Sequence, residues 1–415
     1  MAAHPAPSAV PVGDLAELRG VRECLQWFTR EKKWINETHL QLCRVPAPTF
    51  LEQQRAEWMR AQFREIGCEA SIDRAGNVIA SLAPGVSGPF VALTAHLDTV
   101  LAPRNKDEIA VDPDGRFRGA GVADNGAGLA ALLAVARAIK AAPAIEDLHS
   151  ELLFVANVGE EGEGNLSGMR YLCQQGPLAG QFAAFLVLDG ANTEHITARA
   201  LGSRRFEVTF TGAGGHSWSD FGVGNPVHAL SRAVALFADA RPEGAAKYSL
   251  NVGLIEGGTG INAIPAQARA KVDLRSESNE SLDELVELLN AAIGRAQELE
   301  NQRASGGKVG ARIKEIGARP AAQLAEGASI LAYLRAVDAH LGIRSRLDCS
   351  STDANIPLFL GIPAVSIGAG GLGGGAHTPQ EWFKPEGRDL GLKRILLTLA
   401  LLLRDPRLAA AESGR

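Results

Sequence analysis

Residues 151–165 read ELLFVANVGEEGEGN: a continuous apolar run, then two adjacent carboxylates, Glu160 and Glu161, set among glycines. A short apolar run bounded by turn residues suits a strand buried on both faces, as in a parallel sheet. Two like charges at its end repel each other, and glycine neighbours offer them no shelter. Either the pair sits in a solvated loop, or a positive charge lies beside it. The same form recurs. GPFVALTAHLDTV (88–100) is an apolar strand running into His96, and FAAFLVLDG (182–190) is another ending on Asp189. Between them ADNGAGLAALLAVARAIKAA (123–142) opens on Asp124 and becomes a helix, with Asp124 or Asn125 as its cap. Residues 14–45 and 50–67 carry helical periodicity, and CEASIDRAGNVIASLAPG (68–85) reads as two short strands around a turn at 75–77. Strands alternating with helices predict an α/β domain with parallel sheet members.

After residue 200 the pattern changes. RRFEVTFTG (204–212) alternates like a half-exposed strand, and NPVHALSRAVALFADA (225–240) is helical. YSLNVGLIEGG (248–258) and AQARAKVDLRSE (266–277) are strands. The segment 281–302 is a long amphipathic helix opening on Ser281, with Glu284 completing a capping box. VGARIKEIGA (309–318) closes the set. The order β-α-β-β-α-β is that of a ferredoxin-like unit. The α/β pattern resumes with IPAVSIGAGG (362–371), so the expected organisation is a disordered tail at 1–13, a discontinuous α/β domain at 14–199 and 319–415, and an α+β insert at 200–318.

Composition bounds the function. The 415 residues are 46% hydrophobic and 21% charged, an ordinary globular balance with room for two domains. A net charge of −5 argues against a nucleic-acid surface, and the apolar run from Ile395 to Leu403 is too short to span a membrane. The N-terminal stretch has no basic or apolar region of a signal peptide. Five scattered cysteines without a CxxC suggest neither disulfides nor a thiolate metal site, and reduced thiols fit a cytoplasmic location.

In an open α/β sheet, ligands bind beyond the carboxyl ends of the strands. That rim would collect His96, Glu160, Glu161 and Asp189, with Asp124 at a helix start and His377 in the glycine loop GAGGLGGGAHT (368–378). Imidazole and carboxylate donors without sulfur suit Zn²⁺, Mn²⁺ or Co²⁺. Without cations such a cluster of carboxylates would repel strongly. Two divalent ions remove the objection and account for the Glu pair, with Glu161 on the metal side and Glu160 facing the attacking water. His96 and Asp98 lie two apart on an extended segment, so Asp98 can accept the other ring N–H of His96 and fix its tautomer.

The chain resembles the M20 family of metallopeptidases, which holds peptidase T, di- and tripeptidases, glutamate carboxypeptidases and amino-acid deacylases. The resemblance spans about residues 20–405. It rests on AHLDT (95–99), GVADNGAG (121–128), GEEGEG (159–164), LVLDG (186–190), GGHSW (214–218), GGTGINAIPAQARAKVDLR (257–275) and GGAHTPQE (374–381). It implies a zinc-exopeptidase-like catalytic domain with an inserted lid, often used for dimerisation. It also implies that Asp124 bridges two ions, that His96 and Asp189 complete one site and Glu161 and His377 the other, and that Glu160 is the general base. His216 and Asn262 would serve the developing oxyanion, His216 in cis or from a partner subunit, and Arg275 would grip a substrate carboxylate. Asn125 departs from the Lys or Met of many relatives, and NVGEE from the usual approach to the Glu pair; neither removes a ligand. The expected activity is exopeptidase hydrolysis of short peptides. The alternative is removal of acyl groups from N-acyl amino acids on the same metal site, with SSTDANIP (350–357) among the residues that choose the substrate. A non-catalytic binding protein on this fold would be expected to show a broken ligand set, and here every position is filled.

Overall fold

The structure is a computed structural model that describes residues 11–244 and 246–410. It divides into two compact units, one formed by 1–199 and 323–415 and the other by Ala200–Ala322.

The larger unit is built on a nine-stranded sheet. Its centre runs Val78–Ser81, Glu151–Asn157, Phe90–His96, Phe182–Leu188, Ala364–Ile367, and the last four of these are mutually parallel. Every residue of Phe90–His96 and Phe182–Leu188 is buried, as the unbroken apolar runs require of strands covered on both faces. The helices Gly126–Ala141 and Arg388–Leu403 are buried around most of their circumference for the same reason. The parallel strands present their carboxyl ends on one rim, at His96, Asn157 and Leu188. Asn125 caps the helix Gly126–Ala141, its side-chain oxygen accepting from Gly128 N–H at 3.2 Å, while its amide donates to the Leu188 carbonyl at 2.8 Å. One side chain thus ties the helix start to the rim.

The smaller unit is a four-stranded antiparallel sheet in the order Tyr248–Gly257, Gln267–Ser276, Gly202–Thr211, Gly310–Arg319. Two helices, Pro226–Ala238 and Asn279–Arg303, pack on it through a core that includes Phe206, Phe210, Phe237, Leu274 and Leu285. This is the ferredoxin-like arrangement.

Three local expectations change. The long helix begins at Asn279, and its cap is Ser278, whose hydroxyl accepts from Ser281 N–H. Ser281 is buried inside the first turn, and Glu284 accepts instead from the backbone of Glu243 and Gly244. The last strand of the insert runs to Arg319, so the division falls at Ala322. Of the expected tail, residues 1–10 lie outside the described residues, and residues 12 and 13 open the helix Val12–Glu17, which buries Val12 and Leu15. Among the described residues no helix is long and apolar enough to cross a membrane.

Candidate metal centre

His96 ends its strand and is 2% exposed. Its Nδ1 lies 2.9 Å from the backbone carbonyl of Asp98. A carbonyl only accepts, so Nδ1 donates its proton there, and Nε2 is the nitrogen left to face the site. That Nε2 is 3.1 Å from Asp124 Oδ1. The other oxygen, Asp124 Oδ2, is 3.1 Å from His377 Nε2, which is itself 2.8 Å from Glu161 Oε1. Asp124 therefore divides its two oxygens between two imidazoles, one at a strand end and one in a loop far away in sequence. Asp189 joins His96 and Asp124, with donor atoms of the three within 4.8 Å of one another; Asp124, Glu161 and His377 form a second such group. Glu160 forms a third with His96 and Glu161. His377 has φ +65°, a left-handed conformation unusual for a residue with a side chain.

The Glu pair is held by its own backbone. Val158 N–H donates to Asn77 Oδ1 and Gly159 N–H to Glu52 Oε1; Glu160 and Glu161 N–H donate to the two oxygens of Asp98 at 3.0 and 2.9 Å. Four successive amides thus have side-chain acceptors. The glycines are needed for this fold-back: Gly159 has φ +66°, and a Cβ on Gly164 would lie 2.6 Å from Gly159 Cα.

The charges are frustrated as they stand. Burial, with Asp124 next, holds the Asp189 carboxyl well above its usual range, and burial with Glu160 and Asp124 nearby pushes Glu161 up to about 7. Burial alone would lower His96, but the Asp124 carboxylate first, and the negative charges of Asp98 and Glu160 nearby, raise it well above its ordinary value. His377 rises to about 9, chiefly through Asp124. Burial works against ionising Asp124, but the two histidines hold it well below the usual carboxylate range. Positive charge placed among these groups would relieve every one of the upward carboxylate shifts.

The donors fit divalent ions. They are nitrogen and oxygen only, in two groups that share Asp124. Tetrahedral Zn²⁺ with ligand bonds of ~2.0–2.1 Å separates its ligand atoms by about 3.4 Å, a small widening of the present 2.8–3.1 Å contacts.

The structure brings six expected residues together: His96, Asp124, Glu160, Glu161, Asp189 and His377. Asp98 is adjacent, with a different job from the expected one. Its carboxylate is 3.6 Å from His96 Nδ1, outside hydrogen-bond reach, because the backbone carbonyl already takes that proton. The carboxylate serves the Glu160–Glu161 amides and the Thr49 hydroxyl instead. In the smaller unit His216 and Asn262 are neighbours: Gly215–His216 pairs with Ala263–Ile264, and Ser217 N–H donates to the Asn262 carbonyl. His216 Nδ1 accepts from Trp218 and Ser219 N–H, which assigns its proton to Nε2. Arg275 is not with them. It pairs with Asp273 near the other end of the strand Gln267–Ser276, about 27 Å along it from Gln267. Residues 352–357 of the expected selectivity segment are buried, so of it only Ser350 and Ser351 retain intermediate exposure.

Sequence reasoning missed two carboxylates. Asp353, inside that segment, accepts from Asn157 Nδ2 at 2.6 Å and is pushed up to about 7 by burial and by Glu160. Glu381, in the quoted GGAHTPQE, accepts three backbone N–H groups from the loop that carries Asp124. Neither had a local signal beyond being an acid in a motif, since what each touches lies far away in sequence.

The model of peptidase family M20/M25/M40 matches residues 92–401. The cytosol non-specific dipeptidase of Escherichia coli is 29% identical over 281 residues, covering 59% of this chain and 54% of that protein. Aminopeptidase PepT from Bacillus cereus superposes with a TM-score of 0.68 at 20% identity, over 89% of this chain and 98% of that one. An amidase of the hydantoinase/carbamoylase family from Burkholderia vietnamiensis gives 0.69 at 17% identity, over 90% and 98%. At such identities the structural likeness shows a shared fold.

Proposed function

Because the chain belongs to peptidase family M20/M25/M40, and so is a hydrolase of peptide or amide bonds, we propose that it is a dinuclear metal-dependent exopeptidase acting on di- and tripeptides. One observation carries the metal reading: Asp124 presents one oxygen to His96 and the other to His377, as a carboxylate bridging two ions must. His96, Asp124 and Asp189 would hold one ion, and Asp124, Glu161 and His377 the other, with Zn²⁺ favoured and Mn²⁺ or Co²⁺ compatible with the donors. Such ions supply Lewis acidity toward a carbonyl and make water a better nucleophile at neutral pH. Glu160, grouped with His96 and Glu161, accepts a proton from the attacking water and returns it to the leaving amine. The peptide bond and one O–H bond break; a carboxylate and a free amine result. Asp98 holds Glu160 in place through the backbone. In the same proposal His216, its proton on Nε2, and Asn262 donate to the oxyanion developing on the scissile carbonyl. Arg275 is the weakest member, because its Nε already pairs with Asp273 at 2.7 Å and it lies toward the far end of its strand. A homodimer through the smaller unit belongs to the proposal too, and its exposed Trp218, Phe221 and Ile261 are consistent with a covered surface.

A tripeptide panel, assayed against N-acetyl amino acids after chelation and readdition of Zn²⁺, Mn²⁺ or Co²⁺, tests this reading. Peptide turnover that depends on metal supports it. Turnover of the acyl amino acids alone would instead assign the amidohydrolase reading, which the amidase neighbour favours.

A further inference from the structure

Glu381 is 3% exposed, and its carboxylate is engaged by three backbone N–H groups. Oε1 accepts from Ala123 N–H and Asp124 N–H, and Oε2 from Gly121 N–H, each at 2.8 Å. The Glu381 backbone carbonyl takes a fourth amide of the same loop, Gly119 N–H, at 3.1 Å. A buried carboxylate is costly unless charge-assisted donors surround it, so three short bonds to one loop fix that loop firmly. From within, the loop is held by Val122 N–H donating to the Gly119 carbonyl at 3.4 Å and Gly126 N–H to the Gly121 carbonyl at 2.9 Å. Gly121 sits at φ +74°, and a Cβ there would lie 2.5 Å from Thr99 Cγ2.

Two facts make this more than general packing. One of the donors is the amide of Asp124 itself, the residue that divides its oxygens between the two histidines. Glu381 also lies four residues after His377, on the segment that carries one of those histidines, and its own N–H donates to the Thr378 carbonyl. One short stretch thus supplies an imidazole and grips the backbone of the carboxylate that meets it.

We propose that Glu381 is a positioning residue for the metal centre: it locks the backbone of Asp124 to the His377 segment, so that the Asp124 carboxylate spans both ion sites. The proposal rests on reading Asp124 as the bridging ligand. In Glu381→Gln the volume is kept, but the amide NH₂ must face one of the loop's N–H groups. The loop then shifts, and Asp124 no longer meets both histidines at once.

The test uses the full chain, stripped of metal and titrated with Co²⁺ alone, followed by visible absorption and calorimetry. Glu381→Gln, Glu381→Ala and the exposed control Glu386→Gln are compared with wild type. Expected is a loss of Co²⁺ affinity of about 10–100-fold in Glu381→Gln, with an altered absorption band and an unchanged far-ultraviolet circular dichroism spectrum. Glu386→Gln should match wild type. If Glu381→Ala does not fold, the near-isosteric Gln variant decides. Wild-type affinity and band shape in Glu381→Gln would overturn the inference alone. A wild-type chain that takes up no Co²⁺ would overturn the metal reading, and this inference with it.

Discussion

Replacing Asp98 with Asn separates two jobs that one residue does with different atoms. Its backbone carbonyl orients His96, and the substitution leaves that carbonyl in place. Its side chain accepts three hydrogen bonds: Glu160 N–H on Oδ1, and Glu161 N–H and the Thr49 hydroxyl on Oδ2. The least damaging rotamer of Asn keeps its oxygen at the Oδ2 position and turns NH₂ toward Glu160 N–H. One buried amide is then orphaned, at about 1–3 kcal/mol, and the two surviving bonds lose their charge assistance, at roughly 1 kcal/mol together. At ~1.4 kcal/mol per factor of ten, a total of about 2–4 kcal/mol depopulates the present Glu160 geometry by about 30- to 700-fold. kcat/KM at saturating metal should fall by that order, while Zn²⁺ affinity, measured by competition with a chromophoric chelator, should change by less than about tenfold. The opposite pattern, affinity down about 100-fold with turnover intact once metal is restored, would show that the carboxylate serves His96 and that the reasoning from the 3.6 Å separation is wrong.

Glu160→Gln should abolish turnover with metal content intact; unchanged turnover would remove Glu160 from the chemistry. Because His377 stands at about 9 and Glu161 at about 7 without metal, adding Zn²⁺ to stripped protein at neutral pH should release protons, and apparent affinity should rise with pH across that interval, as a pH-stat titration would show. His39 is buried with Arg388 Nη2 2.6 Å from its Nδ1, and burial first, then that charge, holds it neutral well below its ordinary 6.5. The unfolded chain therefore binds the extra proton, so His39 contributes a loss of stability of about 1.4 kcal/mol per pH unit as pH falls below about 6.5; urea unfolding should show this slope flattened in His39→Gln. Arg394 and Asp338 form a buried bidentate pair at 2.6 and 2.7 Å; Asp338→Ala leaves the guanidinium unpaired and should cost about 3–5 kcal/mol by urea unfolding, more than replacing both partners by apolar residues.

Residue pattern alone accounts for the alternation of buried strands and helices, the ferredoxin-like insert, and which side chains would reach the rim. Those features follow from local rules: apolar runs that end on His96, Asn157 and Leu188 must place the next residues at the edge of the sheet. It also supplied a donor chemistry without sulfur, since residue type alone sets that. Which atom of each residue acts depends on the packed fold. Asp98 lies where the spacing put it, but a neighbouring carbonyl already satisfies His96, and the amides of residues 62 and 63 positions away take the carboxylate. Glu381 reaches back about 260 positions to Gly121, Ala123 and Asp124, and Asp353 reaches Asn157 across 196. Hydrogen bonds of that range depend on where packed elements finally come to rest, and no periodicity or short motif encodes them.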